Sequence, residues 1–261
     1  MDGLWARWTS AVAASPLALW LGGSLLAYAV GANLLWLQKG ALRRPHTRWL
    51  VQLGRFAFYL VIPYLALGGW PRRPYQGLLS LEQMGIVGLG GAWSVTRWLE
   101  AAGVGLGWGV LSVVLLSLAW VSANRRNDGI SLLFAPSPWW VVLVDVLYLQ
   151  VHWAFYRGAL TAILDDAYAG VFLGLGLVFM EWGLNPFWRQ GWRLAPRAAE
   201  RWLRASVALI TALVFLLTRN LWVCLAVHLL LEFSMRQVGR ERAGRRLPAP
   251  SSQQAEVLAP E

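Results

Sequence analysis

One cysteine, Cys224, is all that the 261 residues contain. It falls inside an apolar run, so neither a disulfide framework nor a cysteine-based metal site can be built. Charge is scarce as well: Asp, Glu, Lys and Arg make up 14% of the chain, with 13 acids against 23 bases. So small a charged fraction leaves too little polar surface for a soluble domain of this length. The surplus of positive charge does not point to nucleic acid, because the bases sit in short clusters between apolar runs and no nucleic-acid-binding motif accompanies them. They read as topology signals and as contacts for anionic membrane lipid. No inverted or parallel repeat is present, nor a pair of matching broken helices, which weighs against a transporter.

Apolar sequence is abundant. Hydrophobic side chains account for 57% of the chain, the mean hydropathy is +0.49, and there are 18 tryptophans. Several of these, such as Trp20, Trp36, Trp49, Trp139 and Trp188, fall near the ends of apolar runs, where an indole can bury its ring and keep its N–H wet. Runs long enough to cross a hydrocarbon core of about 30 Å occur at Leu17 to Leu37, Trp49 to Gly69, Ala101 to Val121, Trp139 to Leu164 and Ala167 to Phe187. Two shorter ones, Trp202 to Thr218 and Asn220 to Met235, are separated by Arg219 and read as two short helices joined by a tight turn. The predicted fold is all-α, a polytopic transmembrane helical bundle of about seven spans.

The distribution of bases orients such a bundle. With the N-terminus outside and the C-terminus cytoplasmic, the inner side collects Lys39, Arg43, Arg44 and Arg48, then Arg125 and Arg126, then the run from Arg189 to Arg204, then Arg236 to Arg246. The outer side keeps only Arg7, Arg72, Arg73, Arg97 and Arg219. Arg7, the apolar stretch after it and Ala27-Tyr28-Ala29 also have the three parts of a cleaved signal peptide. Cleavage there would put the basic segment Lys39 to Arg48 on the translocated side, so a retained helix is the simpler expectation. Leu78 to Glu100, Gly-rich with Glu82, Arg97 and Glu100, suits an interfacial or partly re-entrant segment. The Pro, Ser and Gln content from Leu247 onward predicts a disordered tail.

Ionisable side chains inside a span cost about 2.5 to 3.5 kcal/mol on insertion scales and are functional candidates by default. The second half of the chain concentrates them: Asp145, Gln150, His152 and Arg157 on the fourth span, Glu181 and Asn185 on the fifth, His228 and Glu232 on the last. Asp145 and His152 are seven apart and share a helical face; His228 and Glu232, four apart, share another. Such groups can be polar glue between helices, with His152 bonded to Asp145 and Arg157 to Glu181 or Glu232. They can equally line a cavity for acid–base chemistry, for proton relay or for a divalent metal held by two His and two Glu. The residues alone leave these alternatives open.

Three strings in this region carry a resemblance: HWAFYRG (His152 to Gly158), LVFME (Leu177 to Glu181) and HLLLE (His228 to Glu232). With LSLEQMGIV (Leu79 to Val87) and TRNLWVCLAVH (Thr218 to His228), they resemble the CPBP family, the CAAX prenyl endopeptidases and bacteriocin-processing intramembrane proteases. The family has EExxxR then Gly, FxxxH, and HxxxN or HxxxD on successive membrane helices. Here Arg157, Gly158 and His228 match; His152 and Trp153 stand where the paired glutamates would be, Glu181 where the middle histidine would be, and Glu232 where Asn or Asp would be. The resemblance divides the chain into an N-terminal two-helix membrane region (1–78), a CPBP-like core (79–235) and a basic, then disordered tail (236–261).

The resemblance implies an intramembrane endopeptidase-like protein with a water-activating site between helices, built from His152, Glu181, His228 and Glu232 and supported by Arg157 and Asp145. Two expectations follow. Either acid and base survive in exchanged positions, or the site is dead and the cavity binds a membrane-embedded protein or lipidated peptide. A proton-linked transporter is the third alternative. No cofactor is required by the sequence, and a divalent metal is compatible with it.

Overall fold

The computed structural model describes residues 15–38, 40, 45–69, 78–88, 93–126, 137–192 and 195–246. Arg7, Lys39, Arg43, Arg44, Arg72, Arg73, Arg193 and the tail 247–261 lie outside them. Every regular element among the described residues is helical: α1 (Pro16–Leu37), α2 (Pro45–Phe56), a π-helical turn (Ala57–Val61), α3 (Ile62–Leu67), α4 (Val95–Arg126), α5 (Trp139–Leu164), α6 (Ala167–Leu184), α7 (Pro186–Gly191), α8 (Ala195–Thr218) and α9 (Leu221–Arg246). In hydrocarbon each backbone N–H and C=O must find its partner within the segment, which is why spans this apolar fold as helices.

Six helical stretches are long and apolar enough to cross a membrane, α2 and α3 counting as one through the π turn. The seventh expected span, α5, is not among them, because Asp145, Gln150, His152 and Arg157 dilute its apolar character. Its 26 residues still reach about 39 Å at the usual rise. It sits at the centre of the bundle, with an unbroken buried stretch from His152 to Leu160, so Gln150, His152 and Arg157 meet protein and not lipid. The outward faces carry the large exposed apolar side chains, among them Leu19, Leu26, Leu106, Leu115 and Leu118. The protein is thus an all-α, multi-pass membrane bundle.

Turn chemistry sets the helix ends. Asp165 closes α5 in the left-handed conformation (φ 51°), and Asp166 caps α6, its carboxylate accepting from the N–H groups of Tyr168 and Ala169 at 2.8 and 3.1 Å. Asn185 ends α6 and caps α7 by accepting from Phe187 N–H at 2.9 Å. The break between the last two expected spans is a two-residue turn: Arg219 is left-handed (φ 51°) and Asn220 caps α9 through the N–H groups of Trp222 and Val223. The π turn has a local cause in Pro63, which has no N–H to return to the Tyr59 carbonyl four residues back. Ile62 N–H reaches instead to Ala57 O, and the ladder widens.

Glycines set the closest helix approaches, in the small-xxx-small manner of membrane bundles. A Cβ on Gly174 would stand 2.9 Å from the backbone nitrogen of Arg157, and one on Gly170 would meet the backbone of Thr161, so α6 lies directly against α5. Gly105 and Gly109 let α4 approach Val223, Val227 and Leu230 of α9 in the same way.

Several boundaries differ from the sequence reading. The described part of the expected interfacial segment, 78–88, is a chain of turns that buries Leu79, Met84 and Val87. It docks on the start of α9, where Gly85 O accepts from Leu221 N–H at 2.8 Å and Val87 O from Trp222 Nε1–H at 3.1 Å. Arg97 and Glu100 belong instead to α4, which begins at Val95, and α8 begins at Ala195 and not at Trp202. Helix α9 continues through the basic run to Arg246. The N-terminal helices are part of the packing around the centre: α1 and the π turn both contact α5.

Candidate functional site

Helix α5 divides the candidate residues between two faces. His152 and Tyr156, one turn apart, face α1 and α6. Gln150, Trp153 and Arg157 face α8 and α9.

On the first face, His152 Nε2 lies 2.9 Å from Glu181 Oε1. The Tyr156 hydroxyl donates a short hydrogen bond to the same carboxylate oxygen and exchanges a second one, 3.1 Å long, with Ser24 Oγ on α1. Aromatic rings close around the imidazole: Phe58 and Tyr59 of the π turn at 4.6 and 5.3 Å, and Tyr156 at 4.4 Å, between ring centroids. His152 is 0% exposed and Glu181 2%. Acid and base are in hydrogen-bond contact, but sealed. This answers where His152 finds its partner: Glu181 and not Asp145. Asp145 lies half-exposed and pairs with Arg55 of α2 at 2.6 Å.

On the second face lies a cavity of about 240 Å³. His228 and Glu232 of α9 line it, with Trp153 and Leu149 of α5, Trp182 and Asn185 at the end of α6, Trp188 of α7, Arg204 and Val207 of α8, and Tyr28, Arg55 and Tyr59 from the N-terminal helices. Its walls are aromatic: Trp182 and Trp188 stack with centroids 4.4 Å apart, and Trp153 stacks on the His228 ring. Its polar groups are mostly engaged. Glu232 Oε1 accepts from Arg236 Nε and Nη2 at 2.9 and 2.7 Å, Arg204 pairs with Glu200 at 2.8 Å, and Asn185 Nδ2 donates to the Tyr28 hydroxyl at 2.8 Å. Gln150 Nε2 lies 2.8 Å from His228 Nδ1. With the amide nitrogen turned to the ring, Gln150 donates to Nδ1, so Nε2 carries the imidazole proton and His228 is a hydrogen-bond donor.

The four residues expected to form one site therefore fall into two places. His152 and Glu181 form the sealed pair; His228 and Glu232 line the cavity. Among the described residues no three His, Cys, Asp or Glu gather closely enough to hold a metal ion, so the two-His, two-Glu metal arrangement is not assembled. Arg157 joins neither place and pairs with neither Glu181 nor Glu232. It is buried on the second face of α5, its Nη1 3.4 Å from the Thr211 carbonyl and its guanidinium 4.4 Å from the centre of the Phe215 ring.

Sequence reasoning missed Tyr156, Ser24, Tyr28 and Tyr59. Tyr156 had a readable signal, since it follows His152 by four residues on one helical face. The others come from helices that look plainly apolar in sequence, and hydroxyl-bearing residues there raise no charge alarm. No family model, curated protein or solved structure matches the chain.

Proposed function

We propose that this protein is a divergent CPBP-type membrane protein that holds a membrane-embedded protein or peptide in its aromatic cavity without cutting it. The observation that carries this reading is the separation of the acid–base pair from the cavity. A general base must come within hydrogen-bond reach of the water it activates, directly or through one further water, and His152 and Glu181 are closed off by Phe58, Tyr59 and Tyr156. The cavity suits a binding role: indole walls accept apolar groups, while the edge keeps a few polar groups to fix orientation. His228, as an N–H donor, can serve a backbone carbonyl of such a ligand. The distribution of the basic clusters supports an N-terminus outside and a C-terminus in the cytoplasm in this reading.

A catalytic reading has one observation in its favour, the presence of His228 and Glu232 on the same cavity wall one helical turn apart. Against it stands the double hydrogen bond from Arg236 that occupies Glu232 Oε1.

The test is site-specific photocrosslinking in native membranes from Leu149 and Val207, which line the cavity, against Leu118 on the outer face of α4. The binding reading expects discrete polypeptide adducts from the cavity positions alone, recovered at full length. Recovery of cleaved polypeptide would transfer the assignment to a protease. Lipid adducts indistinguishable from those at Leu118 would remove the binding site itself.

A further inference from the structure

The large cavity carries its charges unevenly. Arg55, Arg204 and Glu232 all line it, and each is paired with a residue outside the lining: Arg55 with Asp145 at 2.6 Å, Arg204 with Glu200 at 2.8 Å, and Glu232 with Arg236 at 2.7 Å. The three pairs are not equally firm. The side chains of Arg236 and Glu232 are 16% and 15% exposed and share two hydrogen bonds, so the carboxylate sits in a largely dry pair that is costly to open. Those of Arg55 and Asp145 are 34% and 44% exposed, and those of Arg204 and Glu200 50% and 35%. Water competes for such pairs, which hold their partners weakly. The acid of the lining is occupied, while its two cations can turn to a ligand.

The two cations also stand at one level. Arg55 lies six residues into the span Trp49–Leu67 and Arg204 six residues into the span Ala198–Thr218, about 9 Å at the usual helical rise. Helices α4, α5 and α6 cross between these spans, so both run the same way and start at the same end of the bundle. The charge of Arg204 acts on Tyr28, Tyr59 and His228, and that of Arg55 on Tyr59, so Tyr59 stands in the field of both. Glu181 acts on the two tyrosines from the sealed side, where His152 and Tyr156 engage its carboxylate. The level of the two arginines lies within the hydrocarbon, deeper than the layer that holds lipid phosphates. The anion that a polypeptide can bring there is a side-chain carboxylate, for which the guanidinium fork is well matched.

Resting on the binding reading above, we propose that the polypeptide held in the cavity carries an acidic side chain, Asp or Glu, inside its membrane segment, and that its carboxylate meets Arg55 and Arg204 beside Tyr59. An acid within a membrane segment is costly while the segment lies in lipid. In the cavity it meets complementary charge, so the two arginines select for it: a segment with a neutral residue at the same place gains nothing from them. The indole walls contribute apolar contact to either segment alike.

The test uses the full chain, immobilised in phosphatidylcholine nanodiscs at mildly alkaline pH. The probe is a library of single-span peptides of randomised apolar sequence, acetylated and amidated so that no terminal carboxylate takes part, each made with Asp and with Asn at the matching depth. Mass spectrometry of the retained peptides should show the Asp members enriched roughly tenfold or more over their Asn twins. Arg204→Gln and Arg55→Gln should each bring that ratio below about threefold, and Arg204→Lys, which keeps the charge, should preserve most of it. Equal retention of both twins by the wild type would overturn this proposal and leave the binding reading in place. Retention no greater than by Val207→Trp, which fills the cavity, would remove the binding reading and the proposal with it. A ratio abolished by adding phosphatidylglycerol to the nanodiscs would give the cations to a lipid phosphate and overturn the proposal. A ratio unchanged in the folded double variant Arg55→Gln, Arg204→Gln would overturn it equally.

Discussion

Trp153 and His228 lie face to face, their ring planes 9° apart and their centroids 5.5 Å apart, although one belongs to α5 and the other to α9. His152, the neighbour of Trp153 in sequence, points the other way and is fully enclosed with Glu181, and Tyr59, which packs on His152 and also lines the cavity, is the partition between the two. The acid–base pair and the cavity share a helix and not a space.

Reactivity of single cysteines should reveal that partition. In a Cys224→Ala background, cysteine at Glu232 or Val207 is expected to react with a small, membrane-permeant methanethiosulfonate reagent, while cysteine at His152 stays unmodified over the same period. Mass spectrometry of the intact protein gives the readout. Equal modification at all three positions would mean that the sealed face is open to the cavity.

The His152–Glu181 pair is expected to act as a structural tie. Removing one partner of a buried hydrogen-bonded pair leaves the other uncompensated, at a cost of about 3 kcal/mol. His152→Ala and Glu181→Ala should each lower the unfolding midpoint in detergent, and Tyr156→Phe should lower it less, by about 1 kcal/mol. A double variant no worse than either single one would show the coupling. Additive losses would argue that the two residues contribute separately.

Two glycines on α6 provide a matched contrast. A Cβ at Gly174 would meet backbone atoms of Arg157 at 2.9 and 3.0 Å, whereas one at Gly176 would meet nothing within 4 Å. Gly174→Ala should therefore force α5 and α6 apart and destabilise by about 1 to 3 kcal/mol. Gly176→Ala should be neutral or slightly stabilising, since it exchanges a flexible residue for a good helix former. Thermal unfolding of the two variants side by side decides the matter.

Much of this architecture was legible in sequence because bilayer thickness is a strong ruler. Apolar runs such as Leu17 to Leu37 and Ala167 to Phe187 come within a few residues of α1 and α6, and Arg219 does mark a turn between two helices. Helix ends beyond the apolar runs were not legible: hydropathy falls away at Val95, Ala195 and Arg246 while helical hydrogen bonding continues. Within the site, polar residues inside spans were found readily, since few residues there are polar at all. Their partners were not. Spacing places Asp145 and His152 on one face of α5, but which helix lies opposite depends on packing around Gly170 and Gly174. Arg55 thus went to Asp145, Glu181 to His152 and Arg236 to Glu232.

The Arg55–Asp145 pair joins α2 to α5 at 2.6 Å, with both side chains more than a third exposed or close to it. Partial solvation limits its worth to about 1 kcal/mol or less. Charge reversal at either residue should destabilise modestly, and the exchanged pair, Arg55→Asp with Asp145→Arg, should recover most of the loss in a double-mutant cycle. No recovery would mean that the two charges do not meet in the membrane.

The central claim, that the cavity binds without cutting, is tested most directly by quantitative mapping of new peptide termini in membranes from cells making either the wild-type chain or His228→Ala at equal levels. The account predicts matching sets of termini. Cleavages present with the wild type and absent with His228→Ala would contradict it, and would establish a working protease with His228 in its site.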